Sequence, residues 1–324
     1  MKEMFLNMIL GKKNNILKIF LSFIIGLIFI YYAIKDFNFN KFSEVIINAN
    51  YTLICISSIL LIFTVYLRAY RWRILVKDDC SLNFMYKAQL VGYFGNNILP
   101  LRLGEVLKTI LVGEKYKLSK SKIFGSVVLE RVLDLFATGV IIIIVCLLNV
   151  QFFLSIKSGF YYGFILICFI GILGLLMSYK QIKFFQNSNS KALSIIKGAY
   201  KGFSSLNKSN IINVLLYTVL IWFVYIVQLD LMQRAFLLDL SIYQSMILLA
   251  ISTAAISIPA LPGNFGTFEG SVVYSLSLFN IVDDFGFSFI LHLVSFIPFT
   301  MLGMIYLFQN IKLFKNKDVL TVDE

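Results

Sequence analysis

The sequence has few charged residues for its length. Of its 324 residues only 14% are charged and 59% are hydrophobic, and the mean hydropathy is +0.84. A soluble domain averages about 25% charged residues, and one of this composition would expose far too much apolar surface to water. Several apolar runs approach the ~20 residues that a helix needs to cross a bilayer. The composition therefore predicts an all-α, polytopic membrane protein.

Side chains suited to catalysis and metal binding are also scarce. The four cysteines, Cys55, Cys80, Cys146 and Cys168, form no CxxC pair, so neither a disulfide framework nor a zinc site is indicated. The single histidine, His292, lies in an apolar span, where we interpret it as a packed core residue. No histidine pair, no catalytic triad pattern and no glycine loop for a nucleotide is present. We therefore expect no metal, no cofactor and no catalytic residue.

Positive charge exceeds negative charge by 12 at pH 7. No nucleic-acid-binding module is visible, so we expect no nucleic-acid partner and attribute the excess to cytoplasmic segments that face anionic lipid. Most lysines and arginines fall in the N-terminal tail up to Lys18, in 68–80, 102–122 and 179–209, and after residue 308. The positive-inside rule then predicts an inner-membrane protein with both termini in the cytoplasm.

Hydropathy divides the chain into six long spans and two interrupted regions, which we call the first and second hairpins. The long spans are 16–34, 51–69, 123–149, 158–178, 210–237 and 286–308. The first hairpin, 82–113, is broken at Pro100 and Gly104, and the second, 242–280, at Pro259, Pro262, Gly263 and Gly266. Broken backbone at membrane depth requires protein or a water-filled cavity around it. The positions of the lysines and arginines require each hairpin to begin and end on the same side of the membrane. Each hairpin is therefore either a re-entrant loop or a pair of short spans.

The chain is predicted to be a single domain with an internal repeat. Its halves, about 1–150 and 151–324, each contain span, span, hairpin and span in that order. In both hairpins a proline precedes a glycine by four residues. Because each half crosses the membrane an odd number of times, the second half is predicted to be inverted relative to the first.

Two segments outside the spans, 37–49 and 190–206, are amphipathic. Apolar residues recur every three or four positions with lysines between them, a pattern typical of helices that lie in the headgroup plane. For 190–206, an amphipathic connector packed on the cytoplasmic side of the protein fits the pattern equally well.

Polar residues at the first break suit an anionic headgroup. Free helix ends and the planar donors of Arg102 can hold a phosphate. We expect Glu105 to pair with Arg102 when no substrate is bound, and Gly104 to let the backbone approach a headgroup closely. The alternative is that Arg102 lies at the cytoplasmic interface and only orients the hairpin.

Charged residues also occur inside the apolar segments. Glu130, Arg131 and Asp134 are spaced to share one face of a helix. Burying each charge in a bilayer costs at least ~2.5 kcal/mol. We therefore expect this face to turn inward and to contact a hairpin, as a substrate site or as a structural ion-pair network. Glu269 in the second hairpin is an isolated acid and a further candidate.

Three stretches of the chain resemble a known family. NNILPLRLGEVLK from residue 96, VVLERVLDLFATG from residue 127 and PALPGNFGTFEGSV from residue 259 are similar to the signature stretches of one membrane domain. This is the flippase-like transmembrane domain of lysylphosphatidylglycerol synthases. The resemblance covers nearly the whole chain, and it implies lipid translocation with the two hairpins meeting near the membrane centre.

The resemblance supports a specific set of site residues. The substrate-binding candidates are Asn97, Arg102, Glu105, Glu130, Arg131, Asp134 and Glu269, and the backbone hinge candidates are Pro100, Gly104, Pro262, Gly263 and Gly266. Full synthases carry a soluble aminoacyl-transferase domain, whereas only a short tail follows the last predicted span here. We therefore expect a stand-alone transporter and no lysyltransferase activity.

The expected substrate is a membrane lipid with an anionic headgroup, such as an aminoacylated phospholipid or a polyprenyl-phosphate-linked sugar. A synthase, a glycosyltransferase or a second copy of the chain are the expected protein partners. The alternatives are a membrane-embedded enzyme and a non-catalytic accessory subunit of a lipid-linked glycosylation or lipid-modification pathway.

Overall fold

The computed structural model describes most of the chain between residues 39 and 310. The described residues are 31, 39–76, 79–99, 102–148, 202, 205–206, 209–256, 261–281 and 285–310. Predicted features outside them are the spans 16–34 (except Tyr31) and 158–178, most of the segment 190–206, and the prolines Pro100 and Pro259. The inverted relation between the two halves therefore stays a prediction.

The described residues form nine α-helices and one short 3₁₀ turn, without any β-strand among them. In chain order the helices are α1 (Phe39–Ile47), α2 (Tyr51–Val76), α3 (Leu82–Ile98), α4 (Gly104–Tyr116), α5 (Lys120–Leu148), α6 (Ile211–Ala235), α7 (Ile242–Ile256), α8 (Thr267–Ser277) and α9 (Phe285–Gln309). The 3₁₀ turn, Pro262–Asn264, lies between α7 and α8. This content confirms the predicted all-α fold.

Three of the described helices, α2, α6 and α9, are long and apolar enough to cross a membrane. They have 26, 25 and 25 residues, which at ~1.5 Å per residue exceeds the ~30 Å hydrocarbon core of a bilayer. α5 has 29 residues and carries the charged face around Glu130. These helices confirm the prediction of a multi-pass membrane protein.

The two hairpins are built from shorter helices. α3 and α4 form the first hairpin with 17 and 13 residues, and α7 and α8 form the second with 15 and 11. Within each hairpin the two arms pack against each other. Because a spanning helix needs ~17–25 residues, α4, α7 and α8 are too short to cross the bilayer alone.

Glycines let the arms of the first hairpin pack backbone against backbone. A Cβ added at Gly95 would lie 2.6 Å from Gly104 Cα, and a Cβ added at Gly104 would lie 2.6 Å from Asn96 N. A Cβ at Gly303 would lie 2.6 Å from Phe94 Cβ, so α9 packs as closely on α3. Gly104 thus serves the contact between α3 and α4, and its expected role in the approach of a headgroup stays a prediction.

The tips of the two hairpins meet against α9. The 3₁₀ turn Pro262–Asn264 packs on α3, and Gly263 has a φ of 70°, which favours glycine. A Cβ on Gly263 would lie 2.8 Å from the Phe296 ring of α9. At the end of α3, Asn97 Nδ2 donates to Thr300 Oγ1 of α9 over 2.8 Å. Both tips are therefore fixed to the same helix.

The segment predicted to be amphipathic at 37–49 contains α1, which packs on α9. The Phe42 and Phe289 ring centroids lie 6.5 Å apart. Its position at a membrane surface stays a prediction.

Candidate functional site

A cavity of about 450 Å³ lies where the hairpin tips meet α2, α5, α6 and α9. Its polar wall residues include Arg68, Asn97, Arg102, Arg131, Asp134 and His292. Its apolar wall residues include Leu61, Leu135, Leu229, Leu249, Leu291 and Phe299. The volume is in the ~300–1,000 Å³ range of small-molecule sites. It can therefore hold a small molecule or the polar part of a larger one.

The predicted substrate-binding residues divide into two groups. Those on the cavity wall are Asn97, Arg102, Arg131 and Asp134. The other three, Glu105, Glu130 and Glu269, are not wall residues, but Glu105 and Glu269 bind residues that are. Of the predicted substrate-binding residues, the cavity wall therefore contains two cations, one amide and one carboxylate, and the other three carboxylates lie behind it.

Asp134 is bound by two arginines of α2. Arg68 Nη1 donates to Asp134 Oδ2 over 2.7 Å, and Arg71 Nη2 donates to Asp134 Oδ1 over 2.9 Å. Arg68 Nε also donates to the Tyr225 hydroxyl over 3.1 Å. Both oxygens of the Asp134 carboxylate therefore accept a hydrogen bond from an arginine, and α2 is joined to α5 at the cavity wall.

Lys108 and Glu130 form a second buried group behind the wall. Lys108 Nζ lies 2.9 Å from Glu130 Oε2 and 3.0 Å from Gln89 Oε1. The ammonium also lies 4.7 Å from the centre of the Trp72 ring, a favourable cation–π distance. This group joins α3 and α4 of the first hairpin to α5, so Glu130 has a structural position.

Glu105 binds cations other than the one we expected. It forms an ion pair with Arg131 on α5, and its second oxygen lies 3.1 Å from Lys108 Nζ. The structure therefore corrects the expected pairing of Glu105 with Arg102. The physical reason is the position of the cations. Arg131 reaches the Glu105 carboxylate from α5, and Lys108 lies one turn further along α4, on the same face of the helix as Glu105.

Arg102 stands apart from the other cations of the site. It forms no ion pair with any described carboxylate, and its Nε is buried without a hydrogen-bond partner among the described residues. Its φ is 55°, a left-handed conformation that costs of order 1–3 kcal/mol for a residue with a Cβ. The surrounding fold thus holds an unpaired guanidinium at the cavity wall.

The charged cluster as a whole has an excess of positive charge. Its cations are Arg68, Arg71, Arg102, Lys108 and Arg131, and its anions are Glu105, Glu130 and Asp134. Among the described residues, two positive charges are therefore not compensated. Since a buried charge without a partner is costly, a bound anion would stabilise this arrangement.

Glu269 and His292 form a pair at the second hairpin. His292 Nδ1 lies 2.6 Å from Glu269 Oε1, and the Gly266 N–H donates to Glu269 Oε2 over 2.7 Å. Glu269 is thus the cap of α8 and no longer an isolated acid. Because its own carboxylate occupies this helix N-terminus, the second hairpin does not offer that end to a substrate anion.

His292 combines packing with a polar contact. Its ring lies 4.7 Å from the Phe265 ring and 4.8 Å from the Phe268 ring, centre to centre. It was interpreted as a packed core residue, and it is buried as expected. The pairing with Glu269 and the position on the cavity wall were missed.

Arg68, Arg71 and Lys108 were also missed as site residues. The charge count assigns the segment 68–80 to the cytoplasmic side, so the sequence does not mark Arg68 and Arg71 as site residues. α2 continues to Val76 and places both arginines inside the bundle. The signal that could have found them is their spacing, since residues three apart lie on one helix face and can bind one carboxylate.

These features define a class: a multi-pass α-helical membrane protein with a cationic cavity between two broken hairpins. The chain belongs to the family described as the lysylphosphatidylglycerol synthase TM region, whose model matches residues 18–303. The match confirms the predicted resemblance to this family.

Two curated proteins of Methanocaldococcus jannaschii are similar to the chain. UPF0104 membrane protein MJ1078 is 26% identical over 224 residues, which cover 65% of this chain and 92% of the relative. UPF0104 membrane protein MJ1595 is 26% identical over 321 residues, which cover 90% of this chain and 95% of the relative. No solved structure matches the chain.

Proposed function

We propose that the protein translocates the phosphate-bearing headgroup of a lipid across the inner membrane. The headgroup enters the cavity between the hairpin tips, while its hydrocarbon tails remain in the bilayer. Broken helices that meet at membrane depth are typical of transporter substrate sites. The family's name associates its members with a lipid pathway, which supports a lipid as the substrate.

One observation carries this proposal: Arg102 lies on the cavity wall, forms no ion pair with a described carboxylate, and has a buried Nε without a hydrogen-bond partner among the described residues. A guanidinium presents donors in a planar fork that matches phosphate oxygens. The neighbouring cations Arg68 and Arg131 already have carboxylate partners. Arg102 is therefore the cation that a substrate phosphate can bind without breaking an ion pair.

The apolar part of the wall supports a lipid as the bearer of that phosphate. Leu61, Leu229, Leu249 and Leu291 line the cavity together with the polar residues. Burying apolar area against a ligand contributes about 25 cal/mol of free energy per Å². The first carbons of the lipid tails therefore favour the apolar part of the wall. A headgroup can thus be held at Arg102 while the tails extend towards lipid.

Reconstitution in liposomes tests the proposal. The purified protein is placed in vesicles that contain phosphatidylglycerol with a nitrobenzoxadiazole label on one acyl chain, and dithionite is added outside. We expect loss of the label from both leaflets, whereas protein-free vesicles lose only the outer-leaflet label. If the label in the inner leaflet is protected from dithionite equally with and without protein, this result contradicts translocation.

The same vesicles separate a transporter from a membrane-embedded enzyme. Lipids extracted after the assay are compared by mass spectrometry with the lipids that were added. Translocation leaves their masses unchanged. A lipid of altered mass that forms only with the protein would instead favour the enzyme alternative.

A further inference from the structure

We propose that the cavity selects lipids whose headgroup carries a phosphate and no ammonium group. This proposal rests on the proposed function and narrows its substrate class. Phosphatidate-like and other net-negative headgroups bind in the cavity more tightly than zwitterionic headgroups. They also bind more tightly than aminoacylated headgroups, which carry an ammonium group.

The charges on the wall provide the first reason. The cations on it are Arg68, Arg102 and Arg131, and Asp134 is the one carboxylate that the described wall contains. Both oxygens of Asp134 bind arginines. An ammonium in the cavity would find no free carboxylate on the described wall and would face three arginines against one carboxylate, which disfavours it.

The unpaired polar atoms of the wall provide the second reason. Arg102 Nε, Trp222 Nε1 and Gln228 Nε2 are buried donors without a partner among the described residues, and all three residues line the cavity. Trp222 and Gln228 are each only 4% exposed. Phosphate oxygens accept hydrogen bonds and an ammonium only donates them. The wall therefore complements a phosphate.

A comparison of lipids tests the selection in the vesicle assay. Acyl-labelled phosphatidylglycerol, phosphatidate, phosphatidylethanolamine and lysylphosphatidylglycerol are each supplied to wild-type proteoliposomes. We expect the two lipids without an ammonium group to move at least about tenfold faster than the other two, a difference of ~1.4 kcal/mol. Equal or faster movement of lysylphosphatidylglycerol would overturn the selection and leave the proposed translocation intact.

Thermal stabilisation of the protein in detergent supplies a second readout, since a ligand that binds the folded state raises the unfolding temperature. Short-chain phosphatidylglycerol is compared with short-chain phosphatidylethanolamine and with inorganic phosphate. We expect the largest increase with phosphatidylglycerol. An equal increase with inorganic phosphate would identify a soluble-anion site, and an equal increase with phosphatidylethanolamine would show no selection against ammonium; either overturns the proposal.

If no labelled lipid moves in vesicles, translocation itself has failed. The detergent measurement still decides the selection, because it reports binding without transport. Stabilisation by none of the probes would then overturn the selection as well.

Discussion

Lys108 Nζ lies 2.9 Å from Glu130 Oε2, and each residue is only 2% exposed. The pair joins the first hairpin to α5, so the position of the cavity wall depends on it. Removing one partner of a buried ion pair costs about 3–5 kcal/mol, because the other charge stays buried without compensation.

Glu130→Gln is therefore expected to lower the unfolding temperature in detergent. The double variant, Lys108→Met with Glu130→Gln, is expected to unfold at a temperature closer to that of the wild type. The matched control is Glu114→Gln, which removes a more exposed partner of Lys120 and should change stability by less than ~1 kcal/mol. If the double variant were as unstable as the sum of both single variants, the pair would not be coupled as the distance indicates.

The close contact of Gly104 with α3 leads to a second prediction. Gly104→Ala places a methyl group against the backbone of Asn96, and we expect a loss of roughly 1–3 kcal/mol in stability from overpacking. Gly139→Ala is the control, since a Cβ there meets no atom within 4 Å and alanine favours a helix by up to ~1 kcal/mol. Thermal unfolding of both variants in one detergent checks this. Equal stability of the two variants would contradict the packing of α3 on α4.

The cap formed by Glu269 gives a third prediction. Glu269→Ala removes the acceptor of the Gly266 N–H and the partner of His292, and we expect a loss of about 1–2 kcal/mol. Glu269→Gln retains a side-chain oxygen for the Gly266 N–H and should lose less. The comparison is made by thermal unfolding, and an equal loss for both variants would show that the charge, which both remove, matters more than the capping hydrogen bond.

Much of the fold could be predicted from hydropathy and from helix-breaking residues. The described parts of the predicted spans 123–149, 210–237 and 286–308 correspond to α5, α6 and α9. Gly263 and Gly266 mark the break in the second hairpin because both have positive φ. Long apolar runs and positive-φ glycines are local properties, which is why the sequence alone reveals them.

The pairing of the charges could not be predicted in the same way. Glu105 has Arg102 and Lys108 three residues away on either side, and sequence spacing does not say which one it binds. The outcome depends on Arg131, which reaches Glu105 from another helix. The identity of such partners is a property of tertiary packing, and the same holds for Glu269 and His292.

In the proposed translocation, Arg102 binds the lipid phosphate. Arg102→Ala, Arg102→Lys and the control Arg234→Ala are compared with wild type in the phosphatidylglycerol vesicle assay, at equal amounts of folded protein. Arg234 is largely exposed and binds Asp230, and it is not a wall residue of the cavity. Its replacement should therefore leave transport unchanged.

We expect Arg102→Ala to slow transport by at least about tenfold, the effect of losing ~1.4 kcal/mol of stabilisation. Arg102→Lys should recover it only partly, because lysine retains the charge and lacks the planar fork. Wild-type transport by Arg102→Ala would contradict the account, and the phosphate would then have to be bound by Arg68 or Arg131.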